Sequence, residues 1–471
     1  MRTYFMTCLV MPAMAAALAF GLLGTAAVAQ TTVDVPIDEA RVIATRALLA
    51  GETELALQIA RSLLQVNPDD RTALLVVAAG APRVGQPAEG RQAGARAFRL
   101  SETDVQRYEA ARLTALAAAN EERYTLATFW LRRALTVVPN EEERARTIRD
   151  AAGVRRANPW STNLSISIVP SNNVNGGTDD AELEISGEVI PNTTLSADSL
   201  ALSGVRGTLN FRTQYRFYST PRDRAAVAFQ YQGVRVKLQD EEVEDPRPGS
   251  TATIILDPDD FASDLFDLSL IYDRALENGT FGARINFGSF DFGGEPYYDY
   301  RRLSFSRNLS LTEQTTLLLS AQREWQDYES NGIRDVIRTT LRSGLSYRRE
   351  NGDRVTGFIG RTDSDGFSQN FTFEEWSLQG SYSWAEPIGP ISLGISGGIK
   401  TIDYPEYALF GPIDGGREDN SLFYGVEIGF PGIEYAGFSP GLAISGSIAE
   451  SNISRFTRDT FSVGFTLNSV F

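Results

Sequence analysis

Histidine is absent from the 471-residue sequence, and cysteine occurs once, at Cys8. Without histidine the Ser-His and His-Asp arrangements of hydrolytic catalysis cannot be built, and most zinc sites lose a usual ligand. Cys8 lies in an N-terminal stretch that reads as a removable leader, so the mature chain is expected to have neither thiolate chemistry nor a disulfide. Carboxylates remain, but no catalytic pair of them stands out. The chain therefore reads as a non-enzyme without a cofactor. Long apolar runs are lacking too: beyond the leader no stretch of about eighteen apolar residues exists. That excludes a membrane-spanning helix but not membrane-spanning strands, whose signal per segment is weak.

Basic residues are outnumbered, 44 Lys and Arg against 60 Asp and Glu. Loss of the leader, which holds Arg2 and no acid, leaves 43 against 60 and a net charge of −17. A chain of that sign repels a phosphate backbone, so nucleic acid is not an expected partner. Acids gather at Glu241-Glu242-Glu244-Asp245 and at Asp257-Asp259-Asp260. Neither cluster has the spacing of a calcium loop; both read as solvated connections, and no metal site is expected.

What is present begins with residues 1–29. Arg2 opens a short polar start, Leu9 to Ala27 is apolar and Ala-rich, and Ala27-Val28-Ala29 before Gln30 is a small-x-small cleavage site. No stop-transfer charge cluster follows, so a cleaved signal is expected rather than an anchor, and Cys8 lacks the context of a lipidated cysteine.

Residues 30–157 read as helix with an internal repeat. Ile37 to Leu49 is a helical run, Gly51 a break, and Glu52 to Val66 a second helix closed by Asn67-Pro68. Counted back from Pro68 as the end of a thirty-four-residue tetratricopeptide unit, Ala56 and Ala60 fall where two helices pack closely. The same count from Pro139 gives Ala127 and Ala134, and Gly80 and Gly85 mark the turn of a degenerate middle unit. Tyr108, Tyr124, Phe129 and Trp130 read as core at helical spacing, with a peptide-binding stripe as the alternative. Asn140 to Gly153 reads as a last helix, capped by Asn140 with acids in its first turn. Ala157-Asn158-Pro159 ends the helical part.

From residue 158 to 471 the period is two. Val205, Leu209, Phe211, Tyr215 and Phe217 share a face, opposed by Arg206, Thr208, Asn210, Arg212, Gln214 and Arg216. About fourteen such segments are expected to form an antiparallel transmembrane barrel. Arg206, Arg212 and Arg216 then form a cationic lumen stripe, read as one side of a salt-bridge ladder with the barrel's acids or as a guide for an acidic client segment. Short turns are expected at Thr220 to Asp223, Glu277 to Gly279, Leu311 to Glu313, Asn351 to Asp353, Pro387 to Pro390 and Pro431-Gly432. Longer connections are expected at Ser171 to Ala201, Gln239 to Asp260, Gly293 to Pro296, Thr362 to Asn370 and Tyr404 to Asp419, with a short one near Ser330-Asn331-Gly332. This alternation places the helical part in the periplasm and the long loops outside. Tyr297-Tyr298 and Trp376, Tyr382 and Trp384 suit interfacial girdles, with a sugar-binding track in the lumen as the alternative.

The last strand closes on an aromatic residue. Phe461, Val463, Phe465, Leu467 and Phe471 share one face, interrupted by Ser469, and resemble the signal read by the bacterial barrel-assembly machinery. Two further places carry a family likeness: Ser171-Asn172-Asn173-Val174-Asn175 at the top of the first strand, and the final hairpin with Gly437-Phe438-Ser439-Pro440, Ser451-Asn452-Ile453 and Arg458. With a signal peptide, a short tetratricopeptide-like domain and a barrel of this size, the chain resembles the surface lipoprotein assembly modifier (Slam) family over most of its mature length. That resemblance implies an outer-membrane protein translocator for surface lipoproteins or related secreted proteins. The implied partners are the client and the barrel-assembly machinery, with outer-membrane lipid around a monomeric barrel. By their residue types alone, the Ser-Asn motifs read as loop-shaping turns. A polysaccharide exporter with tetratricopeptide repeats, a two-partner secretion pore and a passive porin are the alternatives.

Overall fold

The structure, a computed structural model, describes residues 35–469 except 330–331, 434 and 436–437. The expected leader and Phe471 lie outside the described residues.

Among the described residues seven α-helices come first: α1 Ile37–Leu49, α2 Thr53–Val66, α3 Arg71–Gly80, α4 Pro87–Arg99, α5 Asp104–Asn120, α6 Tyr124–Leu135 and α7 Glu141–Ala157. The odd-numbered helices of the first three pairs begin at residues 37, 71 and 104, spacings of 34 and 33 that make a stack of helical hairpins closed by α7. The starts are encoded locally. Asp70 accepts the Ala73 N–H, Thr103 and Gln106 form a reciprocal capping box, and Asn140 accepts the Glu143 N–H at 2.9 Å. Gly51, with φ +86°, supplies the left-handed residue after α1.

Alanine sets how closely the helices approach. Ala56, Ala60, Ala127 and Ala134 are fully buried. A Cβ added to Gly94 would lie 2.4 Å from Thr114 Oγ1, so α4 and α5 touch through glycine. Each repeat is also tied to the next by an arginine: Arg41 to Asp70 at 2.8 Å, Arg61 to Glu89 at 2.6 Å, Arg71 to Glu109 at 3.2 Å and Arg112 to Glu143 at 2.9 Å. Tyr108 and Trp130 are core, but Phe129 is half exposed and departs from the core expected of it.

Fourteen strands then close into an antiparallel barrel. The first five are β1 Trp160–Ser171, β2 Gly204–Ser219, β3 Asp223–Leu238, β4 Ser263–Leu276 and β5 Gly279–Phe292. Next come β6 Glu295–Ser310, β7 Thr315–Tyr328, β8 Val336–Arg348, β9 Arg354–Gly366 and β10 Phe373–Ser383. The last four are β11 Ser392–Tyr404, β12 Arg417–Gly429, β13 Phe438–Ser451 and β14 Arg458–Ser469. Consecutive strands pair over ten or more positions each, whereas β1 and β14 pair at one, Ser171 with Ser462.

Side chains alternate across this wall. Leu164, Ile166 and Ile168 of β1 and Phe461, Val463, Phe465 and Leu467 of β14 are exposed on the outer face, as a lipid-facing belt requires. The closed barrel with that belt is a multi-pass barrel of the outer-membrane kind: pairing between consecutive strands satisfies backbone polar groups that hydrocarbon cannot. Its short turns lie at one end with the helical domain, and its long connections at the other.

Three local expectations change. Gly293 and Gly294, both at positive φ, make a two-residue turn between β5 and β6 rather than a longer loop. The register slips between Arg216 and Tyr218, so Phe217 is a bulge residue and not part of the regular alternation. β9 runs on to Gly366, which shortens the connection expected from Thr362.

Candidate functional site: lumen, rim and seam

The lumen wall carries a built polar network. Asp267 on β4 accepts from the Tyr300 hydroxyl at 2.5 Å, from Ser269 Oγ at 2.5 Å and from Asn286 Nδ2 at 2.9 Å. Beside it Glu324 on β7 accepts from Arg302 Nε and from Gln326 Nε2, the latter at 2.6 Å. Asp267, Asn286, Tyr300, Glu324 and Gln326 are all buried. Charges held this way in a wet interior brace four adjacent strands without leaving a carboxylate unpaired.

Toward the long-loop end the inner wall turns aromatic. Phe290 stacks on Tyr298 with centroids 5.2 Å apart, Tyr298 meets Tyr328 at 5.0 Å, and Phe373 meets Tyr404 at 5.0 Å. Arg338 sits 5.7 Å over Phe373 and Arg417 4.4 Å over Tyr404. The girdle expected at Tyr298 is therefore corrected: Tyr298 shares the inward parity of Tyr300 and Arg302, and Tyr297 occupies a bulge. Trp376 and Tyr382 stay on the outer face, and Trp384 packs on Tyr382 at 4.5 Å.

Arg206 and Arg212 stand on the inner face of β2, opposite Val169 and Asn163 of β1. The expected salt-bridge ladder is not formed at them: among the described residues Arg206 makes no ion pair, and Arg212 reaches only Gln230 Oε1 at 3.5 Å. Arg216 leaves the stripe. Its guanidinium donates to the carbonyls of Arg156 and Asn158 at 2.9 and 3.1 Å, capping the C-terminus of α7 where a cation opposes the helix dipole. Arg132 of α6 lies 4.1 Å over the Phe438 ring at the start of β13. These contacts fasten the helical stack to the short-turn rim.

Both Ser-Asn motifs lie at the opposite rim. Ser171 Oγ accepts the Asn173 N–H at 3.2 Å, and Asn175 donates to the carbonyls of Asp198 and Leu200 at 2.9 and 2.7 Å, shaping the first long connection. Asn172 Oδ1 accepts the Phe461 N–H at 2.9 Å and Asp179 accepts the Asp459 N–H at 3.0 Å, both on β14. Val174 is buried with Leu202, Leu238 and Leu256. In the second motif, Ser451 Oγ accepts the Ile453 N–H at 3.2 Å, and Asn452 accepts from Glu418 N–H and donates to the Gly416 carbonyl, each at 2.9 Å. Ile453 is fully buried against Leu183 and Tyr407. Leu183 belongs to a small hairpin, Glu182–Ile185 with Glu188–Thr194, that the sequence reading missed. Its Ser186-Gly187 turn, both residues at positive φ, was the available signal.

No protein-family profile matches the sequence, and no curated protein matches it. Among solved structures, Acinetobacter baumannii OccAB3 is 10% identical, covering 65% of this chain and 99% of its own, with a TM-score of 0.35. A bacterial polysaccharide outer membrane secretin is 10% identical over 65% and 98% of the two chains, with a TM-score of 0.32. Pseudomonas aeruginosa OccD3 (OpdP) is 9% identical over 66% and 92%, also with a TM-score of 0.32. At those values the likeness identifies neither a substrate nor a mechanism. The barrel itself defines a multi-pass outer-membrane protein.

Proposed function

We propose that this chain is an outer-membrane protein translocator that delivers a surface lipoprotein or related secreted protein from the periplasm to the cell surface. One observation carries the reading: a repeat stack of seven helices is fastened to the barrel rim through Arg216 and the α7 carbonyls. A diffusion pore has no use for such a stack, whereas repeat domains present extended surfaces to polypeptides. The helical stack holds the client or its chaperone, and the barrel, with the assembly machinery, passes it outward. The Slam resemblance at Ser171 to Asn175 and at Ser451 to Ile453 supports the same assignment.

A passive porin is the second reading, favoured by Arg206 on the inner wall, which makes no ion pair among the described residues. Deleting residues 35–155 while keeping the leader separates the two. Translocation requires that the barrel still inserts but surface display of the client falls; unchanged display would remove the helical stack from the mechanism.

A further inference from the structure

The barrel is closed, yet its closure is uneven. β1 is paired with β2 at twelve positions, Trp160 to Ser171, but with β14 only at Ser171. From Trp160 to Pro170, and from Val463 to Ser469 on the facing strand, no ladder pair joins β1 to β14 among the described residues. The edges nevertheless lie side by side, since a Cβ added to Gly464 would stand 3.8 Å from Val169 Cβ. Leu164, Ile166, Ile168, Phe465 and Leu467 place this stretch at the height of the lipid-facing belt. Backbone donors and acceptors left open at that depth are strongly disfavoured, and an added strand satisfies them.

We propose that the β1–β14 seam is a strand-accepting site that takes an extended segment of the exported polypeptide, with apolar side chains outward and polar ones inward; this rests on the translocator reading. Among the described residues, the seven positions Leu164 to Pro170 face Val463 to Ser469 without a ladder pair. The seam is hinged at its long-loop end. There Asn172 and Asp179 hold the Phe461 and Asp459 amides, and Thr178 Oγ1 donates to the Ser454 carbonyl at 2.7 Å. Opening is left to the other end, the rim that carries the helical stack. A client held by that stack therefore meets the free edges first.

Two measurements test this on the full-length protein in membranes. Val169→Cys with Gly464→Cys places two Cβ atoms 3.8 Å apart, the usual Cβ separation across a disulfide, and the expected mature chain holds no other cysteine. Oxidation should leave a folded, heat-modifiable barrel but cut client display at least tenfold, with recovery on reduction. Ser445→Cys with Ser462→Cys, across the fully paired β13–β14 ladder, should have no such effect. Full display by the oxidised seam variant would overturn the proposal. Independently of any client, the seam-facing amides of Leu164, Ile166 and Ile168 should exchange hydrogen at least a hundredfold faster than the alternate β1 amides of Ser165 and Ser167, which bond to β2; equal protection would also overturn it. Fast exchange in a chain that displays no client would show an open seam and refute its use in export.

Discussion

Asn452 satisfies two backbone groups with one amide, accepting from Glu418 N–H and donating to the Gly416 carbonyl. Asn452→Ala leaves both groups without that partner at the rim and should cost about 1 to 3 kcal/mol, read as a lower heat-modification temperature of the barrel. Glu143 is the matching case in the helical stack. It accepts from the Tyr108 hydroxyl at 2.7 Å and from Arg112 at 2.9 Å, and these hydrogen bonds, Tyr108 foremost, hold its carboxyl below the usual carboxylate range. Because the folded value lies below the unfolded one near 4.3, its contribution is present at neutral pH and is lost as pH falls through the depressed value. Trp130 fluorescence followed on acidification should show that loss in the native chain and a flatter acid limb in Glu143→Gln. Residue roles of this kind were only half legible in sequence. Ser-Asn patterns identify a turn, but which distant amide Asn172 meets depends on where β14 ends up.

The elements were more legible, since each carries its own period and punctuation. The alanines expected at close crossings are the buried ones, and Pro, Gly and Asn clusters fall at the short turns. What escaped reading is what local pattern does not encode: the bulges at Phe217 and Tyr297, the rim hairpin, and the weak pairing of the first and last strands. That pairing depends on the accumulated tilt and shear of all fourteen strands. Ala127→Leu should overpack the α5–α6 crossing and cost about 1 to 3 kcal/mol, melting the helical circular-dichroism signal earlier while the barrel stays heat-resistant. Orientation is tested at the same scale. An epitope inserted between Glu241 and Pro248 should be reachable on intact cells, and one at Asn351-Gly352 should not; labelling at Asn351-Gly352 would reverse the orientation.

At the scale of the whole molecule, a helical stack and a barrel are joined at one rim, and two sequence motifs brace the connections of the other. The joined rim argues for a client that is handled before it enters the barrel. Neutralising the inner wall separates guidance from architecture: Arg206→Gln with Arg212→Gln should lower export severalfold at unchanged barrel abundance, because neither side chain carries an ion pair among the described residues. The most direct measurement expresses the full chain together with an epitope-tagged surface lipoprotein of the same organism, in a host lacking both, and scores that lipoprotein on the surface of intact cells. Translocation predicts surface display that depends on the chain and falls when residues 35–155 are removed. Equal display with and without the chain, accompanied by faster uptake of small solutes, would contradict it and leave a diffusion pore.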